Sequence, residues 1–267
     1  TLISTPPMIN PNKPSSIEFP NGALSLTSPL YVERISVQSQ CFVNMVNPGS
    51  LTQLRSPRQT GKTSLLVRLL SQSRALGHKT AAIDLQSAEE SIFQDLSRFL
   101  RWFCLSVTRV LQLPTAIDKF WDDDAGAKFN TTIYFEDYLL KTIQQPVVLA
   151  FDNMHRLFAY PKVAQDLFSM LRVWYEQARR GDTEAYQEVG FQKLRMLVVY
   201  STDSFMSLDT RQSPLNVGLI VDLPPFNEDQ IRQLAQRYDI PLKRKQDYQT
   251  LKALVGGHPY LLSVAFY

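Results

Sequence analysis

Apolar residues in this chain recur with two different periods, and the alternation of the two predicts the order of its elements. Residues 51–55 are a short strand candidate, and in the "GKTSLLVRLLSQSRAL" that follows, Leu65, Leu66, Leu69 and Leu70 recur at helical spacing. Gly77 stands where a helix C-terminal cap belongs. "KTAAIDL" at 79–85 predicts a second strand, and 91–113 a long helix ended by Pro114. A further helix over 133–143 stops before Pro146. "PVVLAFD" at 146–152 is a near-continuous apolar run closing on an acid, the pattern of a parallel strand covered on both faces. Residues 161–180 read as a helix, 194–203 as another buried strand and 217–223 as a shorter one. A helix is also expected over 33–46.

The character changes at both ends. Five of the sixteen prolines fall within residues 1–20, and proline fixes φ and removes a donor, so residues 1–27 are expected to form an extended arm. After Pro224-Pro225, Asn227 has Gln230 three residues on, a capping-box pattern that opens a helix. More helices are expected over 247–255 and from Tyr260 onward. Alternating strands and helices predict an α/β core over 28–223, a parallel five-stranded sheet sandwiched by helices, with a small helical lid over 224–267. The polar stretch 181–190 reads as a loop or insertion.

Composition narrows the function classes. A chain of 267 residues buries roughly three-quarters of its unfolded surface and needs no disulfide to fold. Cys41 and Cys104 are far apart and lack metal-ligand spacing, which points to reduced thiols and the cytoplasm. No apolar run approaches the roughly 18 residues that span a membrane, and the N-terminus lacks the charge and apolar core of a signal peptide. The sequence begins without Met, as a fragment or a processed chain does. A net charge of +3, with the densest basic run only Lys243-Arg244-Lys245, gives no argument for nucleic acid, although it does not exclude it.

The chemistry concentrates at "SPRQTGKTSLL", residues 56–66. Gly61, Lys62 and Thr63 stand in register with the end of the phosphate-loop signature G-x-x-x-x-G-K-[ST], while Ser56 occupies the first glycine position. Such a loop works because backbone N–H groups at a helix N-terminus point at anionic oxygens. The lysine neutralises the β- and γ-phosphates, and the hydroxyl holds Mg²⁺. Serine at position 56 is a handicap only if its φ is positive, and Pro57 restricts it to extended conformations. The candidate phosphate-binding residues are therefore Ser56, Pro57, Arg58, Gln59, Thr60, Gly61, Lys62, Thr63 and Ser64.

Two more elements are required. Asp152, ending its strand 90 residues after the lysine, is the candidate Mg²⁺ partner of Thr63. The following residue is Asn153, whose amide can position water but cannot accept its proton, so hydrolysis is expected to be slow or absent. Ser201 and Thr202, at the end of "VVYST", are candidates to sense the γ-phosphate, and equally fit strand-end hydroxyls that bond backbone. His155 is three residues past the acid strand, within reach of a metal-bound phosphate; Asp122-Asp123-Asp124 reads as a solvated loop. Trp102, Phe103, Trp121 and Trp174 read as packing residues.

With these elements in order, the chain resembles the AAA-like P-loop ATPases of cyanobacteria, related to the signal-transduction ATPases with numerous domains (STAND). The resemblance covers roughly 28–267 and rests on "YVER", "SPRQTGKTSLL", "RFLRWFC", "FDNMHRLF", "VVYSTDSFMSLD", "QSPLNVGL" and "LVGGHPYLL". It implies an ASCE-type five-stranded sheet with a helical lid, in a domain set beside sensor or effector domains. It implies that Tyr31 and Arg34 lie near the adenine, and that Gly257, His258 and Pro259 close over the nucleotide. Relatives carry Ala or Gly where this chain has Ser56, and Asp-Glu where it has Asp152-Asn153. Arg172, Arg179 and Arg180 offer no arginine finger beyond a solvated helix face.

Three readings follow. One is an ATP- or ADP-binding Mg²⁺ switch or assembly module in signalling or defence, acting through a protein partner, a fused domain or a homo-oligomer. Another is an active ATPase motor or loader, with Asn153 compensated by Ser201, Thr202 or a neighbouring subunit. The last is a scaffold that binds no nucleotide and serves protein contacts.

Overall fold

The computed structural model describes residues 20–180, 190–203, 216–240, 242 and 244–267. Most of the proline-rich arm, residues 181–189 of the polar loop, and Lys243 of the basic run lie outside them, as do parts of "VVYSTDSFMSLD" and "QSPLNVGL". Five strands, β1 (Leu51–Ser56), β2 (Lys79–Asp84), β3 (Val147–Asp152), β4 (Leu194–Ser201) and β5 (Leu219–Asp222), form one sheet in the order β2-β3-β4-β1-β5. Every pairing is parallel.

The apolar runs are explained by two covered faces. Along β3, Val147, Leu149 and Phe151 enter one core, while Val148 and Ala150 enter the other. The period-two alternation is hidden in sequence because both faces are buried. The larger core lies against α3 (Leu96–Val110), α4 (Ala127–Ile133) and α6 (Pro161–Arg180). The smaller lies against α1 (Ile35–Val46) and α2 (Lys62–Ala75). Trp174 anchors the larger core: its ring centroid is 4.6 Å from Phe135 and 5.0 Å from Phe191, and its indole N–H donates to Thr132 Oγ1 at 3.0 Å.

Two helices differ from expectation. The long helix over 91–113 is divided into a 3₁₀ turn, Glu90–Gln94, and α3. Asp95 separates them because its carboxylate accepts from the Arg98 N–H at 2.7 Å, an N-cap that competes with continued helix. The helix expected over 133–143 starts earlier, at Ala127 after Gly126. It passes through a π-helical turn, Tyr134–Leu139, before α5 (Leu140–Thr142).

A third cluster joins the two ends of the chain. Leu30 and Val32 pack with Phe226, Ile231, Leu234, Tyr238, Leu262 and Phe266 from the segment holding α7 (Glu228–Arg237), α8 (Lys245–Val255) and α9 (Pro259–Phe266). The capping box forms: Asn227 Oδ1 accepts from the Gln230 N–H at 2.9 Å, and Gln230 Oε1 from the Asn227 N–H at 3.0 Å. Gly257 has φ +81°, and a Cβ there would stand 2.5 Å from the Phe226 carbonyl oxygen, so only glycine fits this approach.

Burial fixes the state of both thiols: Cys41 is pushed up to about 11 and Cys104 is also raised. Neither is expected to react with Ellman's reagent at pH 8 in the folded protein, and both are expected to react in denaturant. Trp174→Ala is expected to destabilise the fold by about 3–5 kcal/mol in urea unfolding, and Trp174→Phe by clearly less.

Candidate functional site

The loop between β1 and α2 leaves the end of β1, an inner strand held between β4 and β5. Ser56 ends the strand in extended backbone, paired with Ser201, and its hydroxyl donates to the Leu223 carbonyl at 2.9 Å. The positive φ values fall instead at Gln59 (57°) and Gly61 (93°). The missing first glycine therefore costs the turn nothing.

Lys62 turns back over the loop, donating to the Ser56 carbonyl at 3.0 Å and to that of Pro57. An ammonium has three donors, so one remains for an anion in the cavity. Burial lowers the Lys62 pKa to about 8, against the pull of the Asp203 and Asp152 carboxylates. Asp203 accepts from the Arg58 N–H at 2.5 Å, tying the loop to the segment after β4. Thr60 Oγ1 donates to the Pro57 carbonyl at 3.0 Å, closing the turn from within.

Asp152 sits beside the start of α2. Its carboxylate faces the Thr63 side chain and accepts from the Asn153 N–H at 2.9 Å. Burial raises its pKa, and the Thr63 side chain and the Asn153 N–H oppose the rise. A carboxylate and a hydroxyl held together are a hard oxygen donor pair, which suits Mg²⁺; Mg²⁺ takes few protein ligands and completes its shell with phosphate and water. Among the described residues, no group of three or more His, Cys, Asp or Glu side chains is placed to hold a metal.

A cavity of about 1390 Å³ opens over this floor, lined in part by Gly61, Lys62, Thr63, Asp152, Asn153 and Ser201. Arg58, Gln59, Ser64, His155 and Pro259 also line it. Thr202 is exposed, and its N–H donates to the Ser56 carbonyl at 3.1 Å, a backbone bond at the strand end. His258 caps α9 and bonds the Arg58 carbonyl through Nε2 at 3.0 Å, a contact that requires the Nε2–H tautomer. This bond ties the helical segment directly to the loop.

Tyr31 and Arg34 are not among the lining residues. Arg34 is buried behind the loop, donating to the Thr60 carbonyl at 2.9 Å with its guanidinium 4.5 Å from the Phe226 ring centroid. Burial lowers its pKa to about 10. Tyr31 lies under the Arg68 guanidinium, 3.2 Å from the ring centroid. Arg172 and Arg179 are engaged on the surface of α6, with Glu176 at 2.9 Å and the Tyr175 hydroxyl at 2.9 Å respectively.

Sequence reasoning missed several lining residues. Residues 20–24 belong to the expected arm yet form a wall, because the Leu24 N–H donates to Ser64 Oγ at 2.9 Å. Arg68 holds the same segment through the Leu24 and Ser25 carbonyls at 3.3 and 2.8 Å. Nothing in the local composition signals this; the partner groups lie 40 residues away or more. Tyr238 and Tyr260 line the cavity from the C-terminal helices. Asp84 was legible in principle, since "KTAAID" closes on an acid as "VVLAFD" does.

The sheet order, the loop between an inner strand and α2, and the acid ending β3 together define the P-loop ATPase fold of ASCE type. The chain belongs to the AAA-like domain family, which matches residues 19–267. Among solved structures, it is similar to the Walker-type ATPase of Pyrococcus abyssi at 16% identity and TM-score 0.59, covering 88% of this chain and 67% of that one. It is also similar to the ORC2 protein of Aeropyrum pernix in its ADP form at 18% identity and TM-score 0.53, covering 88% of this chain and 62% of that one. The Cdc6p of Pyrobaculum aerophilum matches at 17% identity and TM-score 0.53, with the same coverage of 88% and 62%. At these identities the likeness is one of fold. No curated protein sequence matches the chain. No helix among the described residues is long and apolar enough to cross a membrane.

Arg34→Ala is expected to loosen the loop from behind, leaving the Thr60 carbonyl unpaired at a cost of about 1–3 kcal/mol in chemical unfolding. Arg34→Lys is expected to recover only part of that, because an ammonium cannot both reach the carbonyl and lie flat on Phe226.

Proposed function

We propose that this domain binds ATP or ADP with Mg²⁺ and works as a switch or assembly module, hydrolysing slowly. The observation that carries the reading is the loop itself. Ser56–Thr63 has the turn, the buried lysine with a spare donor, and a helix N-terminus aimed into a cavity large enough for a nucleotide. Thr63 and Asp152 would hold Mg²⁺, which neutralises phosphate charge when bound. Lys62 and the backbone N–H groups of Gln59 to Thr63 orient the phosphates. Tyr238, Tyr260 and residues 20–24 give the cavity a less charged wall that suits the nucleoside.

Slow turnover is supported by Asn153. Its side-chain amide donates to Asp84 Oδ1 at 2.9 Å, so it does not offer the carboxylate that hydrolysing relatives place next to the metal-binding acid. The switch reading is supported by His258 and Phe226. The loop contacts the helical segment through His258 and, by way of Arg34, through Phe226, so a ligand that moves the loop has a route to α7–α9. A role in STAND-like signalling or defence through a protein partner or fused domain, in the cytoplasm, belongs to the same reading.

ATP and ADP with Mg²⁺ are expected to raise the melting temperature, and Lys62→Ala to abolish the shift. Saturating ligand at 100 times its dissociation constant contributes about 2.7 kcal/mol. Wild-type phosphate release is expected to be slow and to rise in Asn153→Glu. Robust wild-type turnover that disappears in Lys62→Ala would contradict the switch, and no melting shift at millimolar nucleotide would contradict binding itself.

A further inference from the structure

A carboxylate absent from the position after Asp152 is present one strand away. We propose that Asp84 is the residue that takes the proton of the attacking water, so that the site keeps a hydrolytic carboxylate on β2 instead of after β3. The inference rests on nucleotide binding as read above.

Three observations place Asp84 there. First, β2 and β3 pair in register, with Asp84 opposite Asp152. Alternation puts the two on one sheet face: Ala81 and Ile83 enter the larger core, so Asp84 points to the side of α2 and the loop. Second, Asp84 is exposed and lines the same cavity as Lys62, Thr63, Asp152 and Ser201. Third, its orientation is fixed. Oδ1 accepts from Asn153 Nδ2 at 2.9 Å and from the Gln86 N–H at 2.8 Å. Oδ2 takes no hydrogen bond among the described residues and is left to accept one from water.

Asn153 gains a definite role from this arrangement. It stands in the left-handed region at φ 56°, a conformation that asparagine tolerates better than most residues, and its backbone N–H bonds Asp152 while its amide bonds Asp84. It is a positioning residue linking the metal-binding acid to the base. Arg156 supports the same strand end by donating to the Leu85, Gln86 and Ala88 carbonyls at 2.9, 3.2 and 3.1 Å.

The step balances without a co-reactant. The water oxygen bonds to the γ-phosphorus, and the bond from that phosphorus to the β,γ-bridging oxygen breaks with its electron pair leaving on ADP. The water proton passes to Asp84 Oδ2 and then to solvent. A side chain one methylene shorter than glutamate, pinned at its other oxygen by two hydrogen bonds, reaches less far toward the water. Slow turnover follows.

The test is a single-turnover assay on the full chain with Mg²⁺ and radiolabelled ATP, read as the identity of the protein-bound nucleotide, alongside calorimetric affinity for the same ligand. Asp84→Asn keeps an oxygen to accept from Asn153 and Gln86, so a purely structural role survives the change. The expected result is unchanged affinity, conversion slowed by about 10²-fold or more, and bound nucleotide recovered as ATP. Asp84→Asn combined with Asn153→Glu is expected to restore conversion. Asp84→Asn converting ATP at the wild-type rate would overturn the inference. So would a wild-type protein that binds ATP and leaves it intact, with nucleotide binding still standing. A wild-type chain that binds no nucleotide overturns both.

Discussion

The structure depends on a turn that must leave several backbone N–H groups facing a cavity while the carbonyls of Ser56, Pro57, Arg58 and Thr60 find donors. The loop after β1 meets this constraint by closing on itself. Lys62 takes the Ser56 and Pro57 carbonyls, Thr60 takes the Pro57 carbonyl, and Arg34 takes the carbonyl of Thr60 from behind. An unpaired buried carbonyl would cost more than these bonds individually contribute, so the set holds the loop in one shape. The N–H groups at the start of α2 are then the ones left for an anion.

Several of the groups that hold this loop come from distant parts of the chain. Serine 201 is its register partner on β4, Leu223 receives the Ser56 hydroxyl, His258 reaches the Arg58 carbonyl, and Asp203 reaches the Arg58 N–H. The order β2-β3-β4-β1-β5 makes this convergence possible, since it places β1 between β4 and β5 and sets the ends of β2 and β3 beside each other. Electrostatics follow from the same geometry. Lys62 and Asp152 are both shifted toward neutrality by burial, and each is held partly in check by the other's charge. A phosphate with its cation matches both needs.

Much of this was legible from residue pattern because local rules decide it. The helix 161–180, the strand closing on Asp152, the capping box at Asn227 and Gln230, and the loop motif each depend on a few neighbouring residues. The break at Asp95 was missed because a continuous helical period masks an N-cap within it. The placement of Tyr31 and Arg34 behind the loop, and of residues 20–24 on the cavity wall, depends on contacts with α2 and Phe226 that no local pattern encodes. Ser56 departs from the signature only because the signature is written in residue types. The turn takes its positive φ elsewhere, at Gln59 and Gly61.

The central claim is that the loop's free N–H groups are the anchor for a nucleotide. Hydrogen exchange of the backbone amides, followed by mass spectrometry with and without Mg²⁺ and ADP, tests it most directly. The account predicts slowed exchange concentrated in Gln59 to Ser64, with a weaker echo in the residues around His258 that contact the loop. Exchange in that loop left unchanged by the ligand, or slowed only at sites remote from it, would contradict the account.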